Sequence, residues 1–127
     1  MTTILVAEDE RDIRELIAFT LRLGGFEVEE ATNGMEAVEK ARQLCPDLII
    51  MDVRMPKMTG YEACQELKET DETRDIPIVF LSAKGQKAEI KQGMKLGAVD
   101  YIIKPFEAEM LPKQMAEILE KTTRHKK

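Results

Sequence analysis

The sequence predicts an α/β domain built on a doubly wound parallel sheet, and three observations predict it. Short β-type runs alternate with stretches of helical period along the chain. The runs Leu48-Ile49-Ile50-Met51 and Ile78-Val79-Phe80-Leu81 are continuously apolar, as strands covered on both faces are. Several runs also end on charged groups: Ile4-Leu5-Val6-Ala7 leads into Glu8-Asp9, Leu48-Ile49-Ile50-Met51 into Asp52, and Tyr101-Ile102-Ile103 into Lys104-Pro105. Parallel strands joined by right-handed crossovers bring these ends to one edge of the sheet, where open α/β sheets bind ligands.

Each element has its own warrant. Thr3 to Ala7 reads as the first strand. Arg11 to Leu23 follows as a helix, with Ile13, Leu16, Ile17, Thr20 and Leu21 expected on one face, and Gly24-Gly25 ends it. Glu27 to Ala31 alternates as an edge strand does. Asn33-Gly34 marks a turn before a second helix carrying Ala37, Val38, Ala41 and Leu44, which Pro46 stops. After the buried strand Leu48 to Met51, a loop from Asp52 to Thr59 leads to a third helix, Gly60 to about Glu69. Asp71 to Asp75 is a polar connection, and the fourth strand Ile78 to Leu81 ends at Ser82. A short fourth helix, Glu89 to Leu96, carries Gly93 in its interior, where propensity alone makes alanine better by ~1 kcal/mol. Asp100 to Ile103 is the fifth strand and Met110 to about Thr122 the last helix. Pro112 falls where that helix should be under way, so the helix is expected to start late or bend.

The 127 residues fit one domain, which at this size buries roughly two-thirds of its unfolded surface and needs no staple. The expected division is a domain over 1–122 and a basic, frayed tail over 123–127. A composition of 43% hydrophobic and 34% charged residues is that of a soluble globular protein. The net charge of -5 argues against direct nucleic-acid binding, which needs basic surface to displace counterions. Cys45 and Cys64 have no metal or CxxC spacing and are expected to be buried free thiols in a reducing cytoplasm. No apolar run approaches the ~18 residues of a membrane span, so no membrane partner is expected. Met35, Met94 and Met115 are expected in the core, whereas Met55, Met58 and Met110 are expected to be partly exposed.

Gathered at one edge, Glu8, Asp9 and Asp52 repel one another and call for a hard cation such as Mg²⁺ with Lys104 as counter-charge. A lone Asp after an apolar run is usually a loop-start cap, but with Glu8-Asp9 and Lys104-Pro105 in place phosphate chemistry is the better reading. Here the chain resembles bacterial response-regulator receiver domains of two-component systems, over nearly its whole length. Glu8-Asp9 stands at the family's acidic pair, Asp52 at the phosphoacceptor, Met55, Pro56 and Gly60 in its Met-Pro-x-x-x-Gly stretch, and Ser82-Ala83 at its hydroxyl-bearing position. Gly97 to Tyr101 leads into Lys104-Pro105-Phe106, which matches the Lys-Pro signature.

The resemblance implies a single-domain flavodoxin-like (βα)5 fold with strand order 2-1-3-4-5 and a cis peptide at Lys104-Pro105. It implies that Asp52 takes a phosphoryl group from a sensor histidine kinase or phosphotransfer protein, or from a small acyl phosphate. Mg²⁺ is then held by Asp9, Asp52 and the backbone carbonyl of Arg54, with Glu8 acting through water. Lys104 and Ser82 bind phosphoryl oxygens, and Tyr101 turns inward as Ser82 moves. The implied protein is a cytoplasmic signalling switch, not an enzyme beyond self-phosphorylation and autodephosphorylation. It acts on an unknown output protein through its fourth helix, fifth strand and fifth helix, as a monomer or a phosphorylation-dependent dimer. The alternative is the N-terminal receiver portion of a longer regulator with a DNA-binding or enzymatic output domain. Glu8 in place of the usual Asp and Ser82 in place of the common Thr depart from the family pattern, and Arg54 and Lys84 occupy positions that tune the aspartyl-phosphate lifetime. A haloacid-dehalogenase-type phosphohydrolase needs a second Asp where this chain has Arg54. A flavodoxin-type flavin carrier needs a phosphate loop where this chain has Glu8-Asp9-Glu10.

Overall fold

The computed structural model describes residues 2–83 and 86–125, with side chains as far as Thr122. Lys84 lies outside the described residues, as do Gly85, Lys126-Lys127 and the side chain of His125. The element order is β1 (Thr3–Ala7), α1 (Arg11–Leu23), β2 (Glu27–Ala31), α2 (Gly34–Leu44), β3 (Leu48–Asp52), α3 (Gly60–Glu69), β4 (Ile78–Ala83), α4 (Lys87–Lys95), β5 (Asp100–Lys104) and α5 (Leu111–His125). The strands form one 5-stranded sheet in the order β2-β1-β3-β4-β5. All four pairings are parallel. The fold is therefore the flavodoxin-like α/β arrangement that the alternation and the resemblance predict.

The two-residue period of the strands sorts the core into two layers. Leu5, Ala7, Ile49 and Met51 face Ala37, Val38 and Ala41 of α2 and Ala63, Cys64 and Leu67 of α3. Ile4, Val6, Leu48 and Ile50 face Ile17, Ala18 and Leu21 of α1 and Leu111, Met115 and Ile118 of α5. All five residues of β3 are buried, which is why that run carries no alternation.

Local chemistry sets the element boundaries. Asn33 caps α2 by accepting from Glu36 N at 2.9 Å. Thr59 and Glu62 form a capping box that starts α3 at Gly60. A Cβ on Gly60 would run into the Asp52 carbonyl oxygen, so only glycine lets the loop after β3 close back on the strand end. Pro112 lies in the first turn of α5, behind a 3₁₀ turn at Ala108–Met110, which is the expected late start.

Four expectations need correction. The buried stripe of α1 runs through Ile17, Ala18 and Leu21, while Leu16 is 47% exposed, because the helix is rotated toward its small residue where it lies on the sheet. Cys45 is exposed: it is the αL cap of α2, at φ 45, and so has left the apolar face. Met35 and Met94 are exposed and Met55 is buried, whereas Met115 is in the core as expected. Gly93 is a contact residue rather than a propensity defect, because a Cβ there would lie 2.6 Å from Phe80 Cδ2.

Candidate functional site

The strand registers place the charged groups. Ala7 is level with Met51, so Glu8 and Asp52 leave the sheet at equivalent steps of β1 and β3. Asp52 is level with Leu81, Ser82 with Ile103, and Ala83 with Lys104. The Lys104–Pro105 peptide is cis, as the resemblance implies. Lys104 Nζ sits 2.9 Å from Asp52 Oδ2 and 2.9 Å from Glu8 Oε1. Asp52 Oδ1 accepts from Arg54 N at 3.2 Å, and Glu8 Oε2 accepts from Glu10 N at 3.0 Å. A cleft of about 270 Å³ opens here, lined by Asp9, Glu10, Asp52, Arg54, Ala83, Glu89 and Lys104.

Burial and charge explain the electrostatics. Burial pushes the Glu8 carboxyl up to about 7, the neighbouring Asp52 adds to the rise, and the Glu10 N–H and Lys104 only partly oppose it. Burial also disfavours the Lys104 ammonium, but its hydrogen bond to Asp52, its close contact with Glu8 and the charges of both carboxylates outweigh this and hold it above its ordinary value. Among the described residues no hydrogen-bond donor is aligned on the buried Glu8 Oε1, so its contact with Lys104 is electrostatic and the oxygen has spare acceptor capacity. Carboxylate oxygens of Glu8, Asp9 and Asp52 lie within 4.8 Å of one another. An all-oxygen set with an unsatisfied buried member and an exposed Asp9 open to water fits a hard divalent cation.

Comparison with known proteins gives the family. The response regulator receiver domain family matches residues 4–116. This chain belongs to that family. The receiver is 37% identical over 124 residues to the DNA-binding dual master transcriptional regulator RpaA of Synechocystis sp., covering 98% of this chain and 52% of that protein. It is 41% identical over 120 residues to the phosphate regulon transcriptional regulatory protein PhoB of Pseudomonas aeruginosa, covering 94% of this chain and 52% of that protein. It thus spans about half the length of these curated relatives. Among solved structures it resembles the chemotaxis protein CheY4 of Vibrio cholerae, with TM-score 0.86 and 34% identity over 93% of this chain and 98% of that one. A response regulator from Chloroflexus aurantiacus gives TM-score 0.89 and 34% identity over 94% and 98% of the two chains.

The receiver fold brings together Glu8, Asp9, Asp52 and Lys104. Ser82 lies behind the cleft wall, and its hydroxyl donates to Glu89 Oε1 at 2.9 Å. The Arg54 side chain turns to the same carboxylate, with Nε and Nη2 each 2.7 Å from Glu89 Oε2. Tyr101 is half-buried on β5, level with Phe80 and packed on the α2–α3 side of the sheet. Sequence reasoning missed Glu89. An acidic residue in the first turn of a helix reads as a partner of that helix's own N–H groups. Its only further signal was its place on the helix that follows the hydroxyl-bearing strand end.

Proposed function

We propose that this receiver accepts a phosphoryl group on Asp52 and passes the signal on by changing its binding surface. The observation that carries this reading is Lys104 Nζ at 2.9 Å from both Asp52 and Glu8, at the carboxyl edge of the sheet. Asp52 is 6% exposed, anchored through Oδ1 by Arg54 N and through Oδ2 by Lys104, so its carboxylate is oriented before a donor arrives. An Asp52 oxygen attacks the phosphorus of a phosphohistidine, the P–N bond breaks, and its electron pair returns to the imidazole of the histidine kinase or phosphotransfer protein. Lys104 balances charge first on Asp52 and then on a phosphoryl oxygen. Glu8, Asp9, Asp52 and the Arg54 carbonyl would hold Mg²⁺, which supplies neutralisation of the transferring oxygens. Arg54 and Lys84 tune how long the aspartyl phosphate survives.

Ser82 and Tyr101 carry the change to α4, β5 and α5, where Met94 of α4, Val99 just ahead of β5 and Ile103 of β5 are exposed. The reading is one of cytoplasmic signalling without substrate turnover beyond the domain's own phosphorylation and dephosphorylation. The output is read by a partner protein or through dimerisation. RpaA and PhoB are transcriptional regulators about twice as long as the stretch this chain matches, which favours a place at the head of a longer chain with a DNA-binding output. Intact-mass analysis after incubation with acetyl phosphate and Mg²⁺ tests the chemistry. One added phosphoryl group is expected, and none in Asp52→Asn; persistent labelling of that variant would sink the assignment.

A further inference from the structure

Glu89 holds, with one carboxylate, the Ser82 hydroxyl and the Arg54 guanidinium. Oε1 accepts from the Ser82 hydroxyl at 2.9 Å and Oε2 meets the Arg54 guanidinium at 2.7 Å. Its side chain is 14% exposed and lines the cleft beside Asp52 and Lys104, whereas Ser82 is 2% exposed and does not line it among the described residues. A carboxylate with a hydroxyl on one oxygen and a guanidinium on the other offers these donors the same anionic acceptors that a phosphoryl group does. The residue is also fixed from behind, because Tyr61 Oη donates to the Glu89 carbonyl at 2.7 Å. The Tyr61 ring meets Phe80 edge-on at 5.6 Å between centroids, and Phe80 is the ring on which Gly93 of α4 rests.

We propose that Glu89 is a positioning residue, an internal anion that occupies Ser82 and Arg54 before phosphorylation and must be displaced by the phosphoryl group. This inference rests on the phosphoacceptor reading of Asp52. Displacement has two consequences. The phosphoryl oxygens gain Ser82 and Arg54 only as Glu89 gives them up, so Glu89 sets how readily the phosphorylated state forms. The first turn of α4 loses its ties to β4 and to the acceptor loop in the same exchange, so occupation of the site is coupled to release of the helix.

A charge lining the cleft would also oppose a phosphoryl group by simple repulsion, and the test separates the two effects. Beryllofluoride with Mg²⁺ is titrated into the full chain, the Glu89→Ala and Glu89→Gln variants, and the same changes in an Arg54→Ala background. Amide exchange over α4 is read in parallel. Glu89→Ala is expected to tighten beryllofluoride binding about tenfold. Glu89→Gln keeps the shape and an acceptor oxygen, so it should tighten binding less. In the Arg54→Ala background, with one of the two held groups gone, the gain from Glu89→Ala should shrink. Exchange over α4 should quicken in Glu89→Ala before any ligand is added. Equal gains in Ala and Gln that persist undiminished without Arg54 would reduce Glu89 to a repelling charge and overturn the proposal. Unchanged affinity in both variants, with the wild type binding normally, overturns it as well. A wild type that binds no beryllofluoride refutes the phosphoacceptor reading and takes this one with it. Should Glu89→Ala fail to fold, the Gln variant and its Arg54→Ala partner decide by the same comparison.

Discussion

Among the described residues, one positive charge, that of Lys104, is shared between the two buried carboxylates of Glu8 and Asp52. Glu8 bears the consequence, with its pKa raised from 4.5 to about 7, mainly by burial. Folded protein therefore keeps a proton that the unfolded chain has already released, and between about pH 4.5 and about pH 7 it binds more protons than the unfolded chain. Stability must fall as pH rises through that window and level off above it. The urea midpoint measured in EDTA should drop between about pH 5 and about pH 8, and Glu8→Gln should flatten that drop. A wild-type midpoint that rises over this interval would exclude a proton on Glu8. Glu8 is fully buried where it follows β1 at the edge of the sheet. The charge of this residue was legible in the sequence. Its burial was not, because burial depends on the depth of the sheet edge.

At the scale of elements, α4 turns on Gly93. Propensity alone favours Gly93→Ala by ~1 kcal/mol. The added Cβ would lie 2.6 Å from Phe80 Cδ2, and the Phe80 ring is held in place by Tyr61. Overpacking of this kind costs roughly 1–3 kcal/mol, so the net change should be a destabilisation of about 1 kcal/mol, with α4 pushed away from β4. Urea denaturation gives the sign, and a more stable variant would mean that the ring yields without cost. The contrast shows what a single sequence carries. Strands and helices were legible because their signals are local: the continuous run Leu48 to Met51 and the Gly24-Gly25 stop after Leu23 each specify their own element. Close approaches between elements far apart in the chain were not. The contacts of Gly93 on Phe80, of Glu89 on Ser82 and Arg54, and the rotation of α1 that exposes Leu16 are all set by how helices lie on the sheet. Cys45 differs for a local reason, since its helix ends one residue before it in a left-handed cap.

For the whole molecule, the strand order decides which charges meet. Alternating β and α units predict a parallel sheet but not its order, and the order came from family resemblance. Because β1 and β3 are neighbours, the carboxylates of Glu8, Asp9 and Asp52 converge to within 4.8 Å, and the folded state carries a repulsion that the unfolded chain does not. A cation that binds this cluster binds only folded protein, since unfolding scatters its ligands. Mg²⁺ at ten times its dissociation constant should therefore raise stability by about 1.4 kcal/mol, which for a domain of this size is a melting-temperature increase of about 5 °C. Asp9→Asn relieves part of the repulsion and removes an exposed ligand, so the metal-free variant should melt at a higher temperature than wild type while gaining less from Mg²⁺. Both shifts are read in one series of melts over a Mg²⁺ titration at fixed ionic strength, which keeps general screening constant. A melting temperature indifferent to Mg²⁺ would remove the metal from this site. An Asp9→Asn protein that gains as much as wild type would move the cation off Asp9 and onto Glu8 and Asp52 alone.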